Sequence, residues 1–340
     1  MPASARIPIE ETSQPAEARR LSQRLAREMG LDEVRAGAVA IVVTEAATNI
    51  LKHARSGEIL LQIVDHLNTS RAMNLEMLSL DKGPGMQSVE RCMRDGFTTA
   101  SSPGHGLGAI RRLCGDSDFY SVPGEGTAIL ARWPAADDGL VGGGQHGRLR
   151  IGAVNACKSS EEVCGDSWAV EQSGSVSTVL VADGLGHGFE ASLASREAVR
   201  LLRNDPELAP AALLDLVHRA LRSFRGAAVS IARIDTGAGK VAFSGLGNIA
   251  AAIYSGSRRS QHMVSINGTA GHSATRIREF EYEWPADGIL LMHSDGLTTS
   301  AGMDGRAALA LRDPSLIAGV LYRDFSRQND DATVVVAKAA

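Results

Sequence analysis

The chain has 340 residues, of which 44% are hydrophobic and 22% are charged, and its formal net charge is −4. This length exceeds the usual size of one hydrophobic core and predicts two domains, while the slightly acidic balance excludes the basic surface typical of nucleic-acid-binding proteins. The N-terminus has no apolar core of signal-peptide length, and no later apolar run approaches the roughly 20 residues of a membrane span. We therefore expect a cytoplasmic protein that contacts neither nucleic acid nor membrane.

A segment rich in glycine and acidic residues, 134–147, separates two stretches of ordinary composition. Such a segment favours a solvated connector over a packed helix or strand. We therefore divide the chain into a first domain over 1–133, a linker over 134–147 and a second domain over 148–340. The chain has four cysteines, Cys92, Cys114, Cys157 and Cys164. Because no two form a Cys-x-x-Cys pair, we expect reduced structural thiols and no zinc site.

The first domain is predicted to begin with two helices and two strands. The helices are expected over about 12–30 and 32–53, and the strands over 58–65 and 73–80. Glu45 and Asn49 are four residues apart on the second helix, so they lie on one face, and His53 extends the same row. An exposed polar row is the simpler reading of this helix alone. Its many alanine and valine residues indicate burial, however, which favours a functional reason for the acid and the amide.

Two glycine clusters follow the second strand. The first is Asp81-x-Gly-x-Gly, and the second, Gly104-x-Gly-x-Gly, opens a helix predicted over 109–114. Backbone amides at a helix start can hold phosphate oxygens, and glycine lets a nucleotide approach the main chain. The residues between the clusters, 95–102, are small and polar, as is typical of a mobile cover.

The order of Glu45-x-x-x-Asn49, the two glycine clusters and Gly126-Thr127 resembles the GHKL family of ATP-binding α/β sandwiches, which includes histidine kinases, gyrase, Hsp90 and MutL. Within this family, the N-terminal half is most similar to the RsbT-type serine/threonine switch kinases. The motifs that carry this resemblance are Asp95-Gly-Phe-Thr-Thr and Gly124-Glu-Gly-Thr. The resemblance implies that Asn49 binds Mg²⁺, that Glu45 orients or deprotonates the attacking hydroxyl, and that Asp81 accepts from the adenine amino group of ATP. It also implies that a set of small residues shapes the ATP pocket and its lid: Gly83, Gly85, Gly104, Gly106, Gly108 and Thr127.

The second domain carries acidic residues where predicted strands end. Strands are expected over 149–156 and 175–182, the latter leading into Asp183-Gly184, and another over 288–294 leads into Asp295-Gly296. Each Asp-Gly alone could be an ordinary turn. Asp166 and the pair Asp330-Asp331 nevertheless complete four carboxylate positions far apart in sequence, which suggests that they meet in space. Carboxylates this close would repel one another unless cations sat among them, and an all-oxygen ligand set selects Mg²⁺ or Mn²⁺ over zinc.

The remaining elements alternate in a pattern that a β-sandwich flanked by helices accommodates. Helices are expected over 190–202, 210–224, 306–311 and 314–325, and strands over 227–234, 240–244, 249–254 and 332–337. Gly247-Asn248 is expected to be a turn rather than a ligand. The fold class is therefore α+β with two domains.

The order Gly-Asp-Ser, Asp-Gly-x-Gly-x-Gly, Arg225-Gly-Ala, Gly-Asn, Ser294-Asp-Gly and Asp-Asp-x-Thr resembles the SpoIIE-type metal-dependent serine/threonine phosphatases, with spacing most similar to RsbX. The resemblance covers the whole half and implies two Mn²⁺ or Mg²⁺ ions and hydrolysis of phosphoserine or phosphothreonine. It implies that the following residues hold the metals: Asp183, the Gly184 carbonyl, Asp295, Asp330 and, on the second metal, Asp166. Asp331 is expected to have only a supporting role.

Four further residues of the phosphatase half, two arginines and two histidines, were considered for functional roles. Arg148 and Arg150 precede the first acidic motif, but no motif selects either as the phosphate contact, which stays unassigned. His187 could touch substrate or be a plain turn residue. His293 is expected to be a core histidine with its hydrogen bonds satisfied.

The sequence thus predicts a kinase domain fused to a phosphatase domain. Resemblance implies that both act on STAS-domain proteins, the anti-anti-sigma or stressosome components of bacterial partner switching, with a downstream regulator or sigma factor as a further partner. One alternative is that the first domain is an ATP-binding, anti-sigma-type module that sequesters a partner without kinase activity. Another is that the second domain hydrolyses small phosphate esters.

Overall fold

The computed structural model describes residues 3–65, 73–93, 106–135, 148–256, 258–274, 276–327 and 329–339. The chain divides into two units, Pro2–Val141 and Gly142–Ala340, which are described separately. The predicted cover over 95–102, Gly104 and residues 136–147 of the predicted linker lie outside the described residues.

The N-terminal unit combines one antiparallel sheet with helices. Its strands are β1 (Ala5–Ile9), β2 (Gly57–Asp65), β3 (Met73–Asp81), β4 (Asp116–Val122) and β5 (Gly126–Pro134). Its helices are α1 (Gln14–Glu28), α2 (Glu33–Asn49), the π-helix Ile50–Ala54, α3 (Val89–Cys92) and α4 (Gly106–Leu113). The strand order is β1-β2-β3-β5-β4, and every pair of neighbours is antiparallel.

One face of this sheet and the helices share a hydrophobic core. Side chains alternate between the two faces of a strand, and every second residue of β2, β3 and β5 joins this core. The strand residues are Ile59, Leu61, Leu75, Met77, Ile129, Ala131 and Trp133. Helix α2 contributes Val39, Val42, Val43, Ala46 and Ala47. The helical segment Glu33–Ala54 is long and apolar enough for a membrane span by composition, and this core packing accounts for its apolar residues.

The C-terminal unit contains two five-stranded sheets. Its strands are β6 (Leu149–Ala156), β7 (Asp166–Ser173), β8 (Val176–Gly184), β9 (Ala227–Asp235), β10 (Lys240–Leu246), β11 (Ala250–Ser255), β12 (Arg258–His262), β13 (Gly268–Thr269), β14 (Ser273–Ala274), β15 (Phe280–Glu283), β16 (Ile289–His293) and β17 (Ala332–Ala339). Its helices are α5 (Gly188–Asn204), α6 (Pro210–Ala220), α7 (Ala307–Ala310) and α8 (Pro314–Phe325). The sheet orders are β15-β10-β9-β8-β7 and β12-β11-β16-β17-β6, while β13 and β14 form a small hairpin.

The central strands of these sheets are covered on both faces. All five residues of β16 are buried, and in β8 the six positions 177–182 are buried in succession. Helices α5 and α6 pack on the first sheet, and α8 packs on the second. Strands β7 and β17, one from each sheet, are also in contact. The unit is therefore a β-sandwich between helices, and its strand ends carry the acidic residues.

Most predicted elements are present with small shifts in their ends. Strand β6 and helix α8 match their predicted bounds, whereas the helix predicted over 32–53 changes into the π-helix Ile50–Ala54 after Asn49. The row from Glu45 to His53 is therefore not a regular helical row. The predictions missed helix α3 and the strands β1, β4, β5, β7, β12, β13, β14 and β15. The candidate metal ligand Asp166 is the first residue of β7.

Candidate active sites

The candidate ATP site of the N-terminal unit lies where α2 ends beside β3. Glu45 and Asn49 are half-buried on α2, and the π-helix follows Asn49 directly. A Cβ atom built on Gly57 would lie 3.0 Å from the Ile50 side chain and 3.1 Å from the Asp81 Cβ. Glycine at this position thus lets the end of α2 approach the end of β3, which brings Asn49 and Asp81 to the same region.

Asp81 is fixed by two backbone amides. Its Oδ1 accepts from the Gly83 N–H at 2.8 Å and from the Thr127 N–H at 3.2 Å. The Thr127 hydroxyl is 3.0 Å from the Ser121 hydroxyl, so the strand opposite Asp81 is held by β4 as well. These contacts give the carboxylate one orientation, which suits recognition of a flat base.

The glycines of the first cluster are required by space. A Cβ on Gly83 would lie 2.6 Å from the Ala54 Cβ, and one on Gly85 would lie 2.1 Å from the Val122 carbonyl oxygen. Gly85 also has a φ of 66°, which disfavours other residues. Gly106 and Gly108 lie in the first turn of α4, and Gly104 falls outside the described residues. Eight of the nine N-terminal candidate positions lie within the described residues, and hydrogen bonds join Asp81 to Gly83 and Thr127.

The candidate metal site of the C-terminal unit is built on two neighbouring strands. Asp166 begins β7, Asp183 lies near the end of β8, and the two residues are direct partners across the antiparallel pair. Like charges facing each other across a strand pair are destabilising. The fold therefore holds two carboxylates where their charges repel, which is a feature of metal-binding sites.

Asp295 and Asp330 join this pair. The pKa of Asp183 is raised by burial first, then by the negative charges of Asp166 and Asp295, a hydrogen bond with Asp295, and the charge of Asp330. The pKa of Asp166 is also raised, mainly by burial and further by the charges of Asp331 and Asp295. The four predicted carboxylate positions therefore meet in space. We call Asp166, Asp183, Asp295 and Asp330 the acidic centre.

The oxygen atoms of the acidic centre suit a divalent cation. The Oδ2 atom of Asp166 is buried and has no hydrogen-bond partner among the described residues, which is costly for a carboxylate without a compensating charge. The side-chain atoms that the acidic centre offers as metal ligands are all carboxylate oxygens, which Mg²⁺ and Mn²⁺ prefer. The residues present therefore fit such ions.

Glycine again sets the approach of the backbone at the acidic centre. A Cβ on Gly184 would lie 2.0 Å from the Ala191 carbonyl oxygen of α5, and one on Gly296 would lie 1.9 Å from the Asp331 carbonyl oxygen. Larger residues would push α5 and the end of β17 away from the strands that carry Asp183 and Asp295.

Several predicted secondary residues have specific structural contacts. Arg150 pairs with Asp313 at 2.5 Å, so its guanidinium is engaged at the start of α8. The exposed His187 lies 2.6 Å from Glu161 through Nδ1. His293 is buried, its Nδ1 is 2.8 Å from the Ser294 carbonyl, and burial lowers its pKa. His293 is thus a satisfied core histidine, as predicted.

Two polar residues near the acidic centre were not selected from the sequence. Asn248, predicted to be a turn residue, donates from Nδ2 to the Asp295 Oδ2 at 2.7 Å. Arg225 is exposed, and its Nη1 lies 3.5 Å from a Cβ built on Gly186, in the glycine loop after Asp183. The motifs Gly-Asn and Arg-Gly-Ala contain these residues, but spacing alone does not show which strand ends they reach.

Comparison with known protein families assigns both units. Residues 8–133 match the histidine kinase-like ATPase domain, and residues 173–340 match the stage II sporulation protein E (SpoIIE) family. The serine/threonine-protein kinase RsbT of Bacillus subtilis (strain 168) is 34% identical over 118 residues, which cover 34% of this chain and 86% of RsbT. The phosphoserine phosphatase RsbX of the same organism is 24% identical over 140 residues, which cover 41% of this chain and 70% of RsbX.

Solved structures resemble more than half of the chain. One solved structure is described as the bacterial stressosome, a modular system adapted to control secondary messenger signalling. A chain of that structure is 26% identical to this protein, with a TM-score of 0.53. The match covers 56% of this chain and all of that one. RsbX in complex with magnesium has a TM-score of 0.51 at 21% identity, covering 56% of this chain and 95% of RsbX. This second likeness shows a shared fold.

Proposed function

Since the chain belongs to the histidine kinase-like ATPase family of RsbT in its N-terminal unit and to the SpoIIE phosphatase family in its C-terminal unit, we propose that it both phosphorylates and dephosphorylates serine or threonine residues of partner proteins. The acidic centre is the single observation that carries the phosphatase half of this proposal. Asp166 and Asp183 have raised pKa values because they are buried beside other carboxylates, and one buried Asp166 oxygen has no hydrogen-bond partner among the described residues. This arrangement suits bound cations and phosphate ester hydrolysis.

In the kinase half, the roles follow the contacts of α2 and β3. Asp81, held by the Gly83 and Thr127 amides, accepts from the adenine amino group. Asn49 supplies an oxygen ligand for the Mg²⁺ ion of ATP, and Glu45, one turn earlier on the same helix face, receives the proton of the attacking hydroxyl. The glycine clusters, including Gly104, Gly106 and Gly108, leave room for the phosphates.

In the phosphatase half, Asp166, Asp183, Asp295, Asp330 and the Gly184 carbonyl hold the metal ions. Bound divalent ions lower the pKa of water and offset the charge of the phosphate ester. Asn248 donates to Asp295 and so fixes which oxygen of that carboxylate faces the centre.

Arg225 contacts the phosphate. Among the described residues, no carboxylate forms an ion pair with its guanidinium, and its backbone carbonyl is 2.8 Å from the His272 Nε2. The carbonyl of the next residue, Gly226, accepts from the Leu185 N–H at 3.0 Å. The guanidinium is thereby kept beside the glycine loop, where it can bind two phosphate oxygens at once.

A protein substrate suits the surface around the glycine loop better than a small phosphate ester. Leu185 is 52% exposed and Phe189 is 58% exposed, and both lie within six residues after Asp183. Exposed large apolar side chains beside a site are typical of protein contact surfaces. We take STAS-domain proteins as the substrates. The similarity to RsbT, to RsbX and to a chain of a bacterial stressosome structure supports this choice of substrate. With STAS-domain proteins as the shared substrates, both units act in one partner-switching pathway.

The test is a phosphorylation time course with the STAS-domain protein encoded nearest to this chain, labelled ATP, Mg²⁺ and Mn²⁺. The wild type should label the substrate transiently, Asp183→Asn should leave the label in place, and Glu45→Gln should add none. Asp215→Asn, an exposed acid of α6, is the matched control and should behave as the wild type. Equal persistence of the label with wild type and Asp183→Asn would contradict the phosphatase proposal. Tight ATP binding without labelling of any STAS protein would instead favour an anti-sigma-type sequestering module.

A further inference from the structure

Two thiols and a carboxylate lie side by side where β6 leads into β7. Cys157 follows β6, Cys164 comes two residues before Asp166, and Asp331 directly precedes β17. The two sulfur atoms and a carboxylate oxygen of Asp331 all lie within 4.8 Å of one another. Cys164 and Asp331 are buried, and Cys157 is half-buried. Three potential ligand atoms therefore face one small shared space.

Backbone hydrogen bonds hold the carboxylate in this arrangement. Asp331 Oδ1 accepts from the Lys158 N–H and Oδ2 accepts from the Gly165 N–H, each at 2.8 Å. These amides belong to the residues immediately after Cys157 and Cys164, so the carboxylate fastens both ends of the loop that bears the thiols. In the part of the chain that the structure describes, no Lys, Arg or His side chain forms an ion pair with Asp331. Hydrogen bonds of this kind orient metal ligands, and each carboxylate oxygen keeps a lone pair for a cation.

The chemistry of these donors differs from that of the acidic centre. The acidic centre offers oxygen atoms only, whereas this cluster offers two sulfur atoms and one oxygen. Thiolates are soft ligands that select zinc over Mg²⁺ or Mn²⁺, and zinc binds in a tetrahedral arrangement in which water can supply a fourth ligand. Two sulfur atoms and one oxygen within 4.8 Å of one another can all reach one ion with little movement.

We propose that Cys157, Cys164 and Asp331 bind one Zn²⁺ ion per chain, at a site separate from the oxygen ligands of the acidic centre. Binding forms two Zn–S bonds and one Zn–O bond and releases the two thiol protons to solvent, without any change of oxidation state. The ion joins both ends of the loop between β6 and β7 to the segment before β17. It therefore stabilises the segments that carry Asp166 and Asp330. This site does not depend on the kinase or phosphatase activity.

The test uses Co²⁺ as a spectroscopic substitute for Zn²⁺ in the reduced, full-length chain after treatment with a chelator. Thiolate ligation produces an intense charge-transfer absorption in the near ultraviolet, which oxygen ligands alone do not produce. We expect this band to saturate at one Co²⁺ per chain and to disappear when Zn²⁺ is added. Cys157→Ser and Cys164→Ser should each weaken binding by at least about tenfold, since each removes a direct ligand.

Cysteines of the N-terminal unit provide matched controls. Cys92→Ser and Cys114→Ser should keep the band, because these thiols lie in the other unit. A measurement on the unmodified sequence avoids variants that fail to fold: Zn²⁺ should protect the half-buried Cys157, but not the half-buried Cys92, from alkylation detected by mass spectrometry. Absence of the band, absence of this protection, or formation of a Cys157–Cys164 disulfide in the presence of Zn²⁺ would overturn the proposal.

Discussion

A phosphate ester approaching the acidic centre meets concentrated negative charge, so a positive group outside the metal ligands has a clear electrostatic role. Arg225 is the exposed cation beside the glycine loop that follows Asp183. Arg150, which precedes the first acidic motif and was considered as a phosphate contact, is instead paired with Asp313. The assignment of Arg225 therefore rests on its position in the structure.

Replacing Arg225 by alanine should lower kcat/KM for the phosphoprotein by about 10- to 100-fold, because charged hydrogen bonds of about 1.5–3 kcal/mol to the phosphate are lost. The loss should appear mostly in KM, and inhibition by inorganic phosphate should weaken in parallel. Arg225→Lys should be intermediate, since lysine keeps the charge but not the paired donors. Arg222→Ala, at an exposed arginine three residues earlier in the chain, is the control. An Arg225→Ala enzyme with unchanged KM and phosphate inhibition would show that the guanidinium does not contact the phosphate.

At the scale of an element, the turn between β4 and β5 sets the position of Asp81. Gly126 has a φ of 101°, and a Cβ built on it would lie 2.0 Å from the Asp81 carbonyl oxygen. The next residue, Thr127, donates its N–H to the Asp81 side chain. Glycine at position 126 thus allows β5 to lie close enough to β3 for this hydrogen bond to form.

Gly126→Ala should destabilise the N-terminal unit by about 2–5 kcal/mol, from backbone strain of about 1–2 kcal/mol and overpacking of about 1–3 kcal/mol. Gly124→Ala is the matched control, because Gly124 has a similar φ of 83° but nothing within 4 Å of a built Cβ. Gly124→Ala should therefore lower the unfolding free energy only by the backbone strain of about 1–2 kcal/mol. Denaturant unfolding measures the stability, and binding of a fluorescent ATP analogue should weaken with Gly126→Ala only. Equal effects of the two variants would mean that crowding at Asp81 is unimportant.

Elements with strong local signals could be predicted from the sequence. Helix α8 begins with a proline after Asp313, which accepts from the Ser315 N–H, and its predicted and observed bounds agree. The π-helix after Asn49 could not be predicted, because the apolar pattern of α2 continues through it. Strand β7 was missed since its residues Asp166–Ser173 mix polar and apolar types on both faces.

The candidate sites also combine residues that sequence motifs reveal with contacts that only the structure reveals. Asp183 and Asp295 stand out because each follows a strongly apolar stretch. The expectation that the four acids meet is consistent with the raised pKa of Asp183, to which burial and then the charges of the other three acids contribute. The direct pairing of Asp166 with Asp183 depends on strand register, which short motifs do not encode. The approach of Cys157 and Cys164 to Asp331 joins strand ends that are distant in sequence, so it required the three-dimensional structure.

At the scale of the whole molecule, two units with separate cores should respond separately to their ligands. The N-terminal core lies between α1, α2, α4 and one sheet, while the C-terminal core packs α5 and α6 on another. The raised pKa values of Asp166 and Asp183 belong to the C-terminal unit alone. Metal binding at the acidic centre and titration of these two carboxylates should therefore change the stability of the C-terminal unit and leave that of the N-terminal unit almost unchanged.

We expect two unfolding transitions by calorimetry, of which Mn²⁺ raises only the one assigned to the C-terminal unit. In a chelator, the native state keeps protons on Asp166 and Asp183 that the unfolded chain releases near pH 4, so the unfolding free energy of this unit should fall as pH rises from about 4 through the raised native pKa values. Asp183→Asn should reduce this decline, because the uncharged amide removes the repulsion with Asp166 and Asp295. The difference between wild type and Asp183→Asn isolates this contribution from that of carboxylates such as Asp324, whose pKa is lowered and whose effect has the opposite sign. A metal-free C-terminal unit whose stability, relative to Asp183→Asn, rises with pH would contradict the charge repulsion on which the acidic centre is based.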